Sequence, residues 1–167
     1  MSIYTKSTNL SIKWRGTVIA YCSVLEKEIE TFIADYFVSD SQKNYVFWTV
    51  MLDRFHFDGK ISVFEELIKQ SCDKPTFKKT YSRLFSELRY VKDERNRFAH
   101  YVHFVGDDQT DSVTLLSFRD VIKPIDYSKE TFKSLISRID RCYKEVKKLH
   151  KKVHKFLPTQ YAESSAL

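Results

Sequence analysis

Apolar residues return along this chain at helical intervals in three long stretches. From Ile12 to about Val38, the residues Val18, Cys22, Leu25, Ile29, Phe32 and Tyr36 are spaced alternately four and three apart. That spacing makes one stripe along one amphipathic helix. A second long stripe runs Phe132, Leu135, Ile139, Cys142, Val146, Leu149, Val153, Phe156. Asp126 or Ser128 is placed to cap its start, and Pro158 follows its end. A third runs from Thr76 to about Val102 through Tyr81, Leu84, Leu88, Val91, Phe98 and Val102, with Asp73 and Pro75 as start signals.

The segments between are shorter. Lys60 to Cys72 carries Ile61, Phe64, Leu67 and Ile68, a helix that the Asp58-Gly59 pair introduces as a turn. The run YVFWTVML, Tyr45 to Leu52, is apolar all round and fits a strand or a buried helix; with no partner strand nearby, the reading leans to helix. Residues 102 to 125 break the helical pattern: VHFV, then the polar GDDQTDS, then VTLLSF. This predicts a small β-hairpin, around 102–119, inserted between helices. The expected fold is all-α, a bundle of amphipathic helices with that hairpin as its interruption. Residues 1–157 form one domain in this reading, and 158–167, PTQYAESSAL, a mobile tail.

Composition supports long helices: among 167 residues there are only three Gly and three Pro, against thirteen Phe and ten Tyr. No apolar run approaches the roughly 20 residues a membrane span requires. The N-terminal MSIYTKSTNLSIKW has no signal-peptide pattern, so a cytoplasmic location is expected. Cys22, Cys72 and Cys142 are odd in number and far apart, and read as buried small residues rather than as disulfides or metal ligands. A net charge of +6 permits an anionic partner such as RNA, though solubility alone accounts for it equally well.

The chemistry concentrates in DERNRFAHY, residues 93 to 101. The third stripe steps from Leu88 to Val91 and then to Arg95, so a cation occupies a position the pattern reserves for the core. An unpaired charge there costs several kcal/mol, so Arg95 needs a carboxylate, water or an anionic ligand. Glu87, Asp93 and Glu94 are the nearby carboxylates. His100 lies about 140° around the helix from Arg95 and about 7.5 Å along it, whereas Asn96 and His100 share a face. A cleft that receives all three wraps around the helix or is completed by a second molecule.

The stretch Arg95-Asn96-Arg97-Phe98-Ala99-His100 resembles the motif of the HEPN family: Arg, four residues with a polar one first, then His. The resemblance implies an up-and-down bundle of four or five helices, a homodimer, and a metal-independent ribonuclease without cofactor. It implies catalytic roles for Arg95, Asn96 and His100. Toxin members paired with nucleotidyltransferase antitoxins end in His, any residue, Tyr; here Tyr101 follows His100 directly and Val102 holds the next place, which is a departure. In such chemistry the ribose 2′-hydroxyl attacks its own phosphate. Histidine suits the proton transfer and arginine the charge on the phosphate oxygens, with Asn96 orienting one or the other.

Arg89, Lys92, Arg97, Tyr101 and His103 are the candidate RNA contacts around this motif. Lys144, Lys147, Lys148, Lys151, Lys152 and Lys155 crowd the last helix, either to track a phosphate backbone or as an ordinary solvated face. His150 and His154 are four apart, but no third metal ligand accompanies them, so no metal is expected. Glycines at 16, 59 and 106 make no phosphate-cradling loop. The expected function is a metal-independent endoribonuclease of toxin or antiviral-defence type, with RNA, a second copy and an antitoxin or regulatory protein as partners. The alternative is a catalytically silent module that binds RNA, a nucleotide or a protein.

Overall fold

The computed structural model describes residues 6–104, 112–117 and 124–153. Among them are six α-helices, one 3-10 turn and three short strands: α1 (Lys6–Phe37), α2 (Ser41–Val50), the turn Leu52–Arg54, α3 (Phe57–Gln70), α4 (Lys74–Thr80), α5 (Ser82–His100), β1 (Val102–Phe104), β2 (Ser112–Leu116), β3 (Ile125–Ser128) and α6 (Lys129–His150). The chain is mostly helical, as the three stripes predict. Its contacts divide it into two compact units, the first built from Met1–Ser23 and Tyr90–Asp140, the second from Val24–Arg89 and Arg141–Leu167.

In the first unit the predicted hairpin is a three-stranded antiparallel sheet in the order β1-β2-β3. Val102 pairs with Leu116, and Val113 with Tyr127. The turn residues 105–111 lie outside the described residues. β3 is the strand that the sequence does not announce. In the sequence its four residues look like the approach to the last helix, and one does serve so: Ser128 Oγ accepts from the Thr131 N–H at 3.3 Å, capping α6. Along β2, Val113 and Leu115 point inward, while Thr114 faces out and donates to Asp126 at 2.6 Å. Tyr127 from β3 lies against Phe98 of α5, ring centroids 4.7 Å apart, and Trp14 of α1 stacks on Phe132 of α6 at 4.4 Å.

In the second unit Phe32, Phe64 and Phe85 form a chain of ring contacts among buried aliphatic residues of α1, α3 and α5. Four expectations are corrected here. Asp58 and Gly59 are not a turn; they sit in the first turn of α3, where the acidic Asp58 favours the positive helix end. The stretch expected as one helix from 76 to 102 breaks at Tyr81 into α4 and α5. Ser82 Oγ donates to the Lys78 carbonyl at 2.6 Å, taking the acceptor that a continuous helix would offer to the Ser82 N–H. YVFWTVML enters a helix, as expected, but not a buried one: α2 has no buried residue, and Tyr45 and Val46 are exposed. Asp40 caps α2 through the Lys43 N–H at 2.9 Å, and Trp48 Nε1 donates to Glu30 at 2.7 Å. Finally, α6 ends at His150, short of the stripe's last members, and Phe156 and the tail lie outside the described residues.

Two charged residues are buried in this unit. Lys60 reaches Glu26 at 2.6 Å and Glu30 at 2.5 Å. Burial draws the Lys60 pKa down, but the two glutamates outweigh it and hold the ammonium above its ordinary range. Cys22 and Cys142 are buried as expected, whereas Cys72 is only half-buried. Burial, with help from Asp73, pushes the Cys72 thiol up, so it is less nucleophilic than a free cysteine.

Candidate functional site at the end of the fifth helix

Arg95, Asn96 and His100 all lie in the last turns of α5, within the first unit. Because α5 is regular from Ser82 to His100, Arg95 and His100 stand about 140° apart around it. His100 is the last helical residue and is exposed; Arg95 and Asn96 are half-buried. Arg95 Nη1 donates to Asn96 Oδ1 at 3.2 Å, its one hydrogen bond among the described residues. Asn96 therefore orients the guanidinium. Among the described residues no carboxylate holds Arg95, which leaves its remaining donors for an approaching anion.

The position on the core stripe belongs to Glu94, not to Arg95. Glu94 is 2 % exposed, and it accepts from the Tyr127 hydroxyl at 2.5 Å and from Arg97 Nη1. Burial of the Tyr127 hydroxyl, beside the Glu94 carboxylate, raises its pKa well above its usual range. Burial draws the Arg97 pKa down, but the Glu94 charge more than offsets it, so Arg97 stays firmly charged. The buried charge is thus a carboxylate satisfied from both sides. Tyr127 reaches it only because β3 exists.

The candidate RNA contacts separate into two groups. Arg89, in the second unit, is bound to Glu65, which also takes Lys69 at 3.1 Å. Lys92 pairs with Asp93 at 2.8 Å, and Arg97 is held by Glu94. A phosphate would have to compete with a carboxylate at each of these. Tyr101 and His103 are instead joined to α1: Arg15 Nη2 donates to the Tyr101 carbonyl, and Ser7 Oγ lies 3.2 Å from His103 Nε2. Burial, and next the Arg15 charge, hold the His103 imidazole below its ordinary range, and burial lowers Arg15 as well. Sequence reading missed Ser7 and Arg15. Their signal was the spacing of Ser7, Ser11 and Arg15, which repeats every four residues and so marks one helix face.

Elsewhere, His150 does not stand free for a metal: Nδ1 meets Glu28 and Nε2 meets Asp35, each at 2.8 Å. His154 lies outside the described residues. Among the described residues no cluster of three or more His, Cys, Asp or Glu is arranged to hold a metal, and no helix is long and apolar enough to cross a membrane. Lys144, Lys147, Lys148, Lys151 and Lys152 are all exposed. Comparison with protein-family models, with curated proteins and with solved structures finds no match to this chain.

Proposed function

We propose that this chain is a HEPN-type, metal-independent endoribonuclease that works at Arg95, Asn96 and His100. One observation carries the reading: Arg95 sits on the same unbroken helix as an exposed His100, held by Asn96 and by no carboxylate among the described residues. A guanidinium with donors to spare binds two phosphate oxygens at once. An exposed imidazole at a helix end can reach a bound ribose and exchange protons with it. In the reaction the ribose 2′-oxygen attacks the adjacent phosphorus and loses its proton to a base. The bond from phosphorus to the 5′-oxygen breaks, and the leaving oxygen takes up a proton. The products are a 2′,3′-cyclic phosphate and a 5′-hydroxyl. His100 carries at least one of the two proton transfers, and Arg95 neutralises the charge gathering on the non-bridging oxygens.

The 140° between Arg95 and His100 favours a cleft shared by two copies, each supplying one face of its α5. A cytoplasmic toxin or defence effector, restrained by a protein partner, is the biological setting this reading suggests. Purified protein incubated with total RNA in EDTA tests it. The wild type cleaves, while Arg95→Ala and His100→Ala each lose about 10²- to 10⁴-fold in rate with their helical circular dichroism unchanged. Intact RNA bound by folded wild-type protein, with salt-sensitive affinity, would make the chain a silent binding module instead.

A further inference from the structure

The first unit holds a second cationic site that the motif does not include. Ser7, Ser11 and Arg15 stand on one face of α1, about 6 Å apart along its axis. Opposite this face lie the Tyr101 carbonyl, which Arg15 holds, and the His103 ring, which touches Ser7. His103 is the half-buried middle residue of β1, and its neighbours Val102 and Phe104 face outward. Two features of this cluster are unusual. Arg15 and His103, two basic groups close enough for one to depress the other's protonation, have no carboxylate within ion-pair distance among the described residues. On the same face of α1 Ser11, only 2 % exposed, occupies a core position of the stripe, and its Oγ has no hydrogen-bond partner among the described residues.

Each feature costs stability in the absence of an anion. A buried hydroxyl without a partner forgoes a hydrogen bond, and a half-buried guanidinium near an imidazole is repelled whenever that imidazole protonates. Buried hydroxyls are nearly always paired, so an unpaired one beside an uncompensated arginine points to a missing acceptor-rich group. Phosphate answers all of it. Its oxygens accept from the free edge of Arg15, from the two serine hydroxyls and from a protonated His103.

We propose that Ser7, Ser11, Arg15 and His103 form a phosphate-binding site that seats a backbone phosphate of the RNA strand, next to the phosphate cut at His100. The identity of the strand as RNA rests on the ribonuclease reading; the anion site does not. His103 follows the motif closely: Tyr101 and Val102 alone lie between His100 and His103, so a strand engaged by one passes the other.

Two measurements test this, and neither uses cleavage. In the first, the full chain is titrated with inorganic phosphate while the His103 ring resonances are followed by NMR. The wild type shows saturable shifts and a rise in the His103 pKa; Arg15→Gln weakens the affinity about tenfold, the loss of one charge-assisted contact. Ser11→Ala weakens it by a smaller factor, although deleting an idle buried hydroxyl would leave it unchanged. If Arg15→Gln fails to fold, Ser11→Ala and His103→Gln make the same comparison. A His103 ring indifferent to phosphate, or equal affinities in wild type and variants, overturns the site.

In the second, His100→Ala protein binds a fluorescein-labelled single-stranded oligoribonucleotide over a range of salt. With Arg15→Gln added, the slope of log affinity against log salt falls by about 0.7, one phosphate contact on a single strand. An unchanged slope, in a protein whose His103 still responds to inorganic phosphate, overturns the RNA assignment and leaves a site for free phosphate. Absence of RNA cleavage alone would count against the ribonuclease reading and not against this site.

Discussion

At the scale of single residues, the central lesson is which side chain α5 buries. Measured from Val91, positions 94 and 95 lie about 60° and 40° to either side of the stripe; measured from Phe98 the order reverses. Periodicity alone therefore leaves Glu94 and Arg95 as equal claimants. The structure buries Glu94, because Tyr127 and Arg97 are there to satisfy it. The motif residues themselves were legible, since Arg95, Asn96 and His100 are local in sequence. Arg15 and Ser7 were not, because they meet the motif's neighbours across some ninety residues. The Glu94 cluster makes a quantitative prediction. Glu94→Ala leaves Arg97 and the Tyr127 hydroxyl without their acceptor and destabilises the fold by about 3 kcal/mol, readable by urea denaturation. Tyr127→Phe costs less, about 1–2 kcal/mol, because Arg97 still pairs with Glu94. If both substitutions fall within experimental error of the wild type, the cluster is not what anchors this helix.

At the scale of elements, three helices were visible because their stripes run long, and a strand of four residues was not. IDYS offers two alternations at most, too few to separate from the approach to a helix. The exposed position of α2 was equally hidden: an apolar run says that burial would be favourable, not that a partner covers it. What joins α6 to α1 in the second unit is also non-local. His150, the last residue of α6, is gripped by Glu28 and Asp35 of α1. Burial opposes its charge, but the two carboxylates prevail and raise its pKa above the ordinary value of 6.5. Its folded value therefore exceeds its unfolded value. The contribution is complete below the unfolded pKa, provided the carboxylates remain ionised, and is lost as pH rises through the folded one. Thermal melts of the wild type and His150→Gln should differ most on the mildly acid side of neutrality and converge at alkaline pH. A difference that grows with pH would contradict the sign of this linkage.

At the scale of the whole molecule, the proposed ribonuclease activity would give the basic chain one target, the phosphates of RNA. Many of its cations are already occupied: Lys60 by Glu26 and Glu30, Arg89 by Glu65, Arg97 by Glu94. The net +6 therefore says less about binding than do Arg15 and Arg95, half-buried guanidinium groups that no carboxylate holds among the described residues. Both are in the first unit, with His100 and His103. The measurement that tests this most directly is the chemistry of the cut ends formed in EDTA. The account predicts 2′,3′-cyclic phosphates and 5′-hydroxyls from the wild type, and neither from the His100→Ala protein. Ends bearing a 5′-phosphate and a 3′-hydroxyl, or cyclic ends that persist undiminished in His100→Ala, would contradict it.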